Sequence, residues 1–167
     1  MKYLIRKREK KDCASIAKVV TIAWNETYKG IVPDWFLEEL KINEEERAKK
    51  TSNEFNEDDN NQLVLEVDDQ VVGFVNYGKT ADDTYKNCGE IFALYIINKY
   101  QGNGFGKKLV EEAKKELKLL GFDKMIIACL KGNPSNEFYK HINGIYVKDG
   151  IYKRLNLPEN IYYYENI

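Results

Sequence analysis

The chain has 167 residues, 43% of them hydrophobic and 32% charged, with a formal net charge of -1; this suffices for one well-buried domain and is too short for two ordinary ones, so residues 1–167 are read as a single domain. The near-neutral balance leaves no basic footprint for nucleic acid or an acidic membrane surface. No apolar run reaches the length of a secretory core or a membrane span, and the simplest expectation is a cytoplasmic protein.

Tyr3 to Arg6 reads as a first strand. Asp12 is the candidate N-cap of a helix whose apolar face is Ile16, Val19, Val20, Ala23 and Trp24 and which ends near Gly30. Pro33, tolerated at a first helical position, opens a second short helix with Trp35, Phe36, Leu37 and Leu40, where Trp35 is expected to pack core. Between these helices Trp24, Thr27, Tyr28 and Ile31 form an aromatic elbow that suits either core packing or ligand binding. Asn43 to Asn61, dense in Glu44, Glu45, Glu46, Glu57, Asp58 and Asp59, reads as a solvated surface helix followed by a loop.

Leu63, Leu65 and Val67 alternate with polar positions, Asp68-Asp69-Gln70 is turn chemistry, and Val71 to Tyr77 alternates again, which predicts an antiparallel hairpin. Gly73 inside that second run marks a bulge or a close backbone approach. After a polar connection, Ile91 to Ile96 is a buried strand that pairs with the hairpin. A glycine-rich loop, Gln101-Gly102-Asn103-Gly104-Phe105-Gly106, then joins it to a helix with Leu109, Val110, Ala113, Leu117 and Leu120 at helical spacing and a left-handed stop at Gly121. Glu111 and Lys115 are a candidate i,i+4 pair on its exposed face. Met125 to Cys129 is the next strand, parallel to the preceding one because a helix intervenes. Ser135 to His141 is a short helix, and Ile145 to Val147 and Ile161 to Tyr164 are closing strands around a loop that contains Pro158.

Glycines between a strand and a helix bring backbone N–H groups close to a ligand, and a helix N-terminus suits a phosphate. Gly106-Lys107-Lys108 lacks the Ser/Thr of a Walker A loop. The alternating Gly102, Gly104 and Gly106, far into the chain, are not a dinucleotide fingerprint. Cys13, Cys88 and Cys129 are odd in number and widely spaced, so neither a disulfide framework nor a zinc site is indicated and each is expected as a small buried residue. His141 is the only histidine, which argues against a metal site and a catalytic triad.

Gln101-x-x-Gly104-x-Gly106 after a strand ending Leu94-Tyr95-Ile96 resembles the Gln/Arg-x-x-Gly-x-Gly/Ala loop of the GNAT superfamily, the acetyl-coenzyme A dependent N-acetyltransferases. Asn133-Pro134-Ser135-Asn136-Glu137-Phe138-Tyr139 is similar to the Asn-Pro-x-x-x-Phe-Tyr segment of many members, in the family's order and spacing. The resemblance implies an α/β (α+β) fold: a mixed, mostly antiparallel sheet of about seven strands with a splayed parallel pair, flanked by helices. It implies that acetyl-coenzyme A is the co-substrate, with no metal. The backbones of Leu94, Tyr95 and Ile96 would hold the pantetheine arm and the amides from Gln101 through Gly102, Asn103, Gly104, Phe105 and Gly106 to Lys107 the pyrophosphate, so side-chain substitution of Asn103 or Phe105 should matter less than bulk at Gly104 or Gly106.

By the same resemblance the Leu94 amide is the oxyanion donor, Glu90 the candidate general base and Tyr139 the acid for the leaving thiolate. Asn133 and Asn136 are candidates for the pantetheine or for capping, with capping the expected role of Asn133. Trp24, Tyr28 and Glu90 are candidates for the acceptor, expected to be a small-molecule amine. A noncatalytic acyl-coenzyme A sensor, acetylation of a protein N-terminus or lysine, and a nucleotide module unrelated to coenzyme A are the alternatives. The tyrosine-rich Tyr162 to Tyr164 is a candidate for packing across a homodimer.

Overall fold

The computed structural model describes all residues, Met1–Ile167. The elements follow in the order β1 (Tyr3–Lys7), α1 (Cys13–Thr27), α2 (Asp34–Ile42), α3 (Glu44–Asn53), β2 (Gln62–Val67), β3 (Gln70–Lys79), β4 (Gly89–Ile96), α4 (Phe105–Leu119), β5 (Met125–Leu130), α5 (Ser135–His141), β6 (Ile145–Tyr152) and β7 (Leu157–Tyr164). The strands form a seven-stranded mixed sheet in the order β1-β2-β3-β4-β5-β7-β6. No helix is long and apolar enough to cross a membrane. The chain divides into two compact units, Met1–Asn76 with Ala93–Val110, and Tyr77–Phe92 with Glu111–Ile167.

In the first unit β1, β2 and the start of β3 pair antiparallel. The β2–β3 hairpin turns at Asp68 and Asp69, both at positive φ (47° and 64°), as a two-residue turn matched to strand twist requires. Both expectations for Gly73 hold. The register shifts beside it, from Leu65↔Gly73 to Glu66↔Val71, which leaves Val72 as the bulged residue. A Cβ built on Gly73 would lie 2.8 Å from the Tyr95 carbonyl oxygen and 2.9 Å from Ile96 Cγ1, so a side chain is excluded there. Val19, Val64 and Phe74 form the buried centre under α1, with Ala93, Tyr95 and Ile97 packed against it.

Two expectations in this unit are corrected. Asp12 precedes α1 but makes no side-chain cap to it; its carboxylate instead accepts from both Arg6 guanidinium nitrogens (2.7 and 3.0 Å) and from the Glu9 amide (2.7 Å), because a buried charge is better satisfied by a cation than by one amide. Trp35 is 61% exposed, whereas its neighbour Phe36 takes the core position. The buried face of α2 is Phe36, Leu37 and Leu40, and Trp35 falls outside that arc. The acidic α3 buries no residue, as its composition implied.

In the second unit β4 pairs parallel with β5 through Gly89↔Met125, Glu90↔Ile126 and Ile91↔Ile127. β7 lies between β5 and β6 and pairs antiparallel with both. The closing hairpin is longer than the apolar runs suggested: Pro158 sits within β7 opposite Ile151, not in a loop, and its carbonyl accepts from the Lys131 amide (3.0 Å). β6 hides no residue fully, so its strand signal is diluted by Lys148, Asp149 and Gly150.

The helix α4 ends in a left-handed Gly121 (φ 93°), with Phe122 N–H donating to Leu117 O and Gly121 N–H to Lys118 O, the paired bonds of a Schellman stop. Leu109, Val110, Ala113 and Leu117 are wholly buried, while Leu120, expected with them, is 48% exposed beyond the last helical turn. The ion pairs are Glu111–Lys114 (3.0 Å) and Glu112–Lys115 (2.6 Å) at i,i+3 instead of Glu111–Lys115. Tyr162 and Tyr164 are buried in their own unit and Tyr163 stacks on Tyr85 (5.9 Å), so this segment packs inward and is withdrawn as a dimer surface. All three cysteines are free and buried.

Candidate active site

The geometry of the first unit converges on the end of β4. Ile97 N–H donates to Val72 O of β3 (3.1 Å); main-chain groups alternate sides along a strand, so those of Leu94 and Ile96 point away from β3. The parallel ladder with β5 stops at Ile91↔Ile127, although β4 runs on to Ile96. The Ile96 carbonyl accepts a bond from Gln101 Nε2 (2.8 Å), which ties the glycine loop back to the strand.

The loop itself is braced by its flanks. Asn98 N–H donates to Glu26 Oε2 (2.9 Å), Gln101 N–H to Asn98 O (2.9 Å), and Asn103 Nδ2 to the carbonyls of Tyr100 and Gln101 (both 3.1 Å). Gly102 and Gly104 take φ of 76° and 75°, where L side chains are strained, and a Cβ on either would meet nothing within 4 Å. Their role is therefore conformational. The amides of Gly102, Asn103, Gly104, Phe105, Gly106 and Lys107 have no acceptor within the protein, and the last three open the 15-residue α4. Amides without internal acceptors at the positive end of a 15-residue helix suit a diphosphate.

Phe105 is 4% exposed and packs against Tyr3 (5.2 Å). It anchors the first turn of α4 below the loop, so its side chain matters. Trp24 and Tyr28, each 7% exposed, pack together with tilted rings (4.4 Å), and Trp24 also meets Phe36 and Tyr95. That burial gives both a core role, which is the plainer of the two readings of the elbow.

In the second unit Glu90 is half-buried on β4 and accepts from Thr80 Oγ1 (2.7 Å). Desolvation pushes its pKa up, the Thr80 hydrogen bond opposes this, and the Asp82 charge adds to the rise. Asp82 itself is held low by Lys148 (2.9 Å). A carboxyl raised in this way is better matched to proton abstraction near neutral pH than an exposed one.

Asn133, Asn136 and Tyr139 lie around α5. Asn133 Oδ1 accepts from Ser135 N–H (2.8 Å), the expected turn-capping role. Asn136 donates to the carbonyls of Leu130 (2.9 Å) and Asn133 (2.8 Å) and accepts from Asn160 Nδ2 (2.9 Å) and Tyr162 Oη (2.8 Å). Its amide is fully engaged in joining β5, α5 and β7, so it is scaffold and is withdrawn as a pantetheine ligand. Tyr139 is 6% exposed between Phe138 and Tyr162, and its carbonyl accepts from Tyr164 Oη (3.0 Å) and Gly144 N–H (2.9 Å). Glu159 was not legible in the sequence. It is half-buried on β7, and burial together with the Glu90 charge raises its pKa.

A family profile described as Acetyltransferase (GNAT) family matches residues 21–145. The chain belongs to the GNAT acetyltransferase family. Every residue singled out from the motifs, Trp24 to Tyr139, falls within the matched GNAT span, and Glu159 lies beyond it. Membership makes the chain an acetyl-coenzyme A dependent acyltransferase. It is 27% identical over 139 residues to the uncharacterized N-acetyltransferase YuaI of Bacillus subtilis, covering 81% of this chain and 76% of that one. It is also 27% identical over 153 residues to the spermidine N(1)-acetyltransferase of Thermoplasma acidophilum, covering 89% and 91%. The PaiA N-acetyltransferase of Thermoplasma acidophilum, solved in complex with coenzyme A, superposes with a TM-score of 0.79 at 23% identity over 99% of each chain, which establishes the GNAT fold. No group of three or more His, Cys, Asp or Glu side chains could hold a metal ion.

Proposed function

We propose that residues 1–167 act as one N-acetyltransferase domain that transfers acetyl from acetyl-coenzyme A to the amine of a small molecule, by direct attack with both substrates bound. The observation that carries the reading is the run of six acceptor-less amides, Gly102 to Lys107, placed directly after a strand whose parallel ladder has ended early. Acetyl-coenzyme A supplies an acyl group activated as a thioester. The amides from Gly102 to Lys107 hold its diphosphate, and the outward main chain of Leu94 and Ile96 takes the pantetheine arm.

The Leu94 N–H, facing away from β3, is the donor to the acyl oxygen; removing one such donor from other enzymes costs on the order of 3 kcal/mol. A primary amine with a pKa of ~10 arrives protonated. Glu90, raised by burial, takes that proton, directly or through water. Tyr139 returns one to the sulfur. A small cationic acceptor is supported by the likeness to a protein named for spermidine acetylation.

The test is a panel of amines assayed for coenzyme A release, alongside thermal shifts with acetyl-coenzyme A and with ADP. Turnover on a small amine, with a larger shift for acetyl-coenzyme A than for ADP, is expected. Binding without turnover on any amine selects a sensor, and equal shifts select a nucleotide module.

A further inference from the structure

We propose that Glu159 determines acceptor specificity by holding the distal ammonium of a linear polyamine whose reacting amine lies at Glu90. The inference rests on the transferase reading above and extends it to the acceptor. Strand register places both carboxylates on one face of the sheet. Glu90 is opposite Ile126, and Ile126, Ala128 and Leu130 share a face of β5. Across from them on β7 stand Tyr163, Ile161 and Glu159. Four residues along β5 and two strand spacings put the Cα atoms of Glu90 and Glu159 on the order of 16 Å apart, a span suited to an extended triamine.

The Glu159 carboxylate has no hydrogen bond or ion pair within the protein. The lysines near it in register are committed elsewhere: Lys131 to Asp149 (2.8 Å) and Lys148 to Asp82 (2.9 Å). A half-buried carboxylate without a cation is an unfavourable arrangement that a ligand ammonium relieves. Gly150 stands directly opposite Glu159, and a Cβ there would come within 3.2 Å of Glu159 Cγ and 3.3 Å of Oε1, so the absent side chain leaves this carboxylate its room. On the same face, two residues after Glu90, Phe92 is 52% exposed although β4 is an interior strand, and its ring lies over Gly78. An exposed aromatic surface beside Glu90 suits methylene chains and ammonium groups alike.

The experiment uses the full chain, with coenzyme A release measured on spermidine and on N-butyl-1,3-diaminopropane, which lacks only spermidine's terminal butyl amine. Glu159→Gln is expected to raise the KM for spermidine about 10-fold, the size of one charge-assisted hydrogen bond, with kcat unchanged and the analogue's KM unmoved. Glu159→Asp restores part of the loss, and Gly150→Ala, which keeps the carboxylate but crowds it, moves the KM in the same direction. Calorimetric titration of spermidine into the coenzyme A complex should show the same weakening, and melting curves report the fold of each variant. An unchanged spermidine KM in Glu159→Gln, or a wild type that treats spermidine and its analogue alike, overturns the inference while leaving the transferase reading intact. Failure of the wild type to acetylate any amine overturns both.

Discussion

Gly73→Ala probes the packing that fixes the cofactor strand. The built Cβ meets the Tyr95 carbonyl oxygen at 2.8 Å and Ile96 Cγ1 at 2.9 Å, and the first of these is backbone that cannot swing aside. Relief requires β3 and β4 to separate by several tenths of an ångström where Leu94 to Ile96 lead into the glycine loop. Overpacking of this kind costs ~2–3 kcal/mol, which for a chain of this length lowers Tm by roughly 4–12 °C. The same displacement shifts Ile96, whose carbonyl receives the Gln101 side chain, so the KM for acetyl-coenzyme A rises as well. The assay is thermal unfolding by circular dichroism with steady-state kinetics, using Gly104→Ala as the contrast. At Gly104 nothing lies within 4 Å and only the φ of 75° opposes a side chain, so the penalty is ~1–2 kcal/mol of local backbone strain. A Gly73→Ala protein that melts with the wild type would refute the close-approach argument.

The remaining predictions concern charge and proton transfer. Tyr139→Phe lowers kcat by at least ~100-fold with little change in the KM for acetyl-coenzyme A, read by coenzyme A release; equal turnover across the pH range removes Tyr139 from the mechanism. Glu90→Gln abolishes the acid limb of kcat/KM, which in the wild type lies above the ordinary carboxylate range because burial raises Glu90. The sign for stability is opposite to that of a salt-bridged acid. The folded protein binds this proton more tightly than the unfolded chain, so the contribution is full below the unfolded pKa and is lost as pH rises through the folded one. Glu90→Gln therefore melts no lower than the wild type at neutral pH.

Asp12→Ala leaves Arg6 with Glu66 (2.8 Å) and a longer contact to Glu9 (3.8 Å), and costs about 3 kcal/mol by urea unfolding. Burial alone would raise the Asp12 pKa, but Arg6 and the Glu9 amide outweigh it and hold the carboxyl below its ordinary value. This stabilisation is present above the unfolded pKa and falls away as pH drops through the folded one. An Asp12→Ala protein as acid-sensitive as the wild type would remove that assignment.

What could be read from residues alone was local. The hairpin at Asp68-Asp69, the bulge at Gly73, the stop at Gly121 and the helix from Ser135 to His141 each follow from backbone preferences carried by a few adjacent side chains, and the structure keeps them. The glycine loop belongs to the same class, since positive φ at Gly102 and Gly104 is a property of the residues that occupy it. Periodicity also separated the inward from the outward face of α4 up to Leu117.

The failures were relational. Which of Trp35 and Phe36 turned inward, whether Asp12 capped a helix or paired with Arg6, and whether Asn136 was free for a ligand all depended on how the chain packs, not on adjacent residues. Glu159 is the clearest case. Nothing in Leu157 to Tyr164 marks it, and its character arises only when β7 inserts between β5 and β6, setting it across from Gly150 and on the face that carries Glu90. Short-range torsional and hydrophobic preferences are written into neighbouring residues. The solvation and electrostatic field of a carboxylate are set by whatever the fold brings around it, and that only the tertiary structure decides.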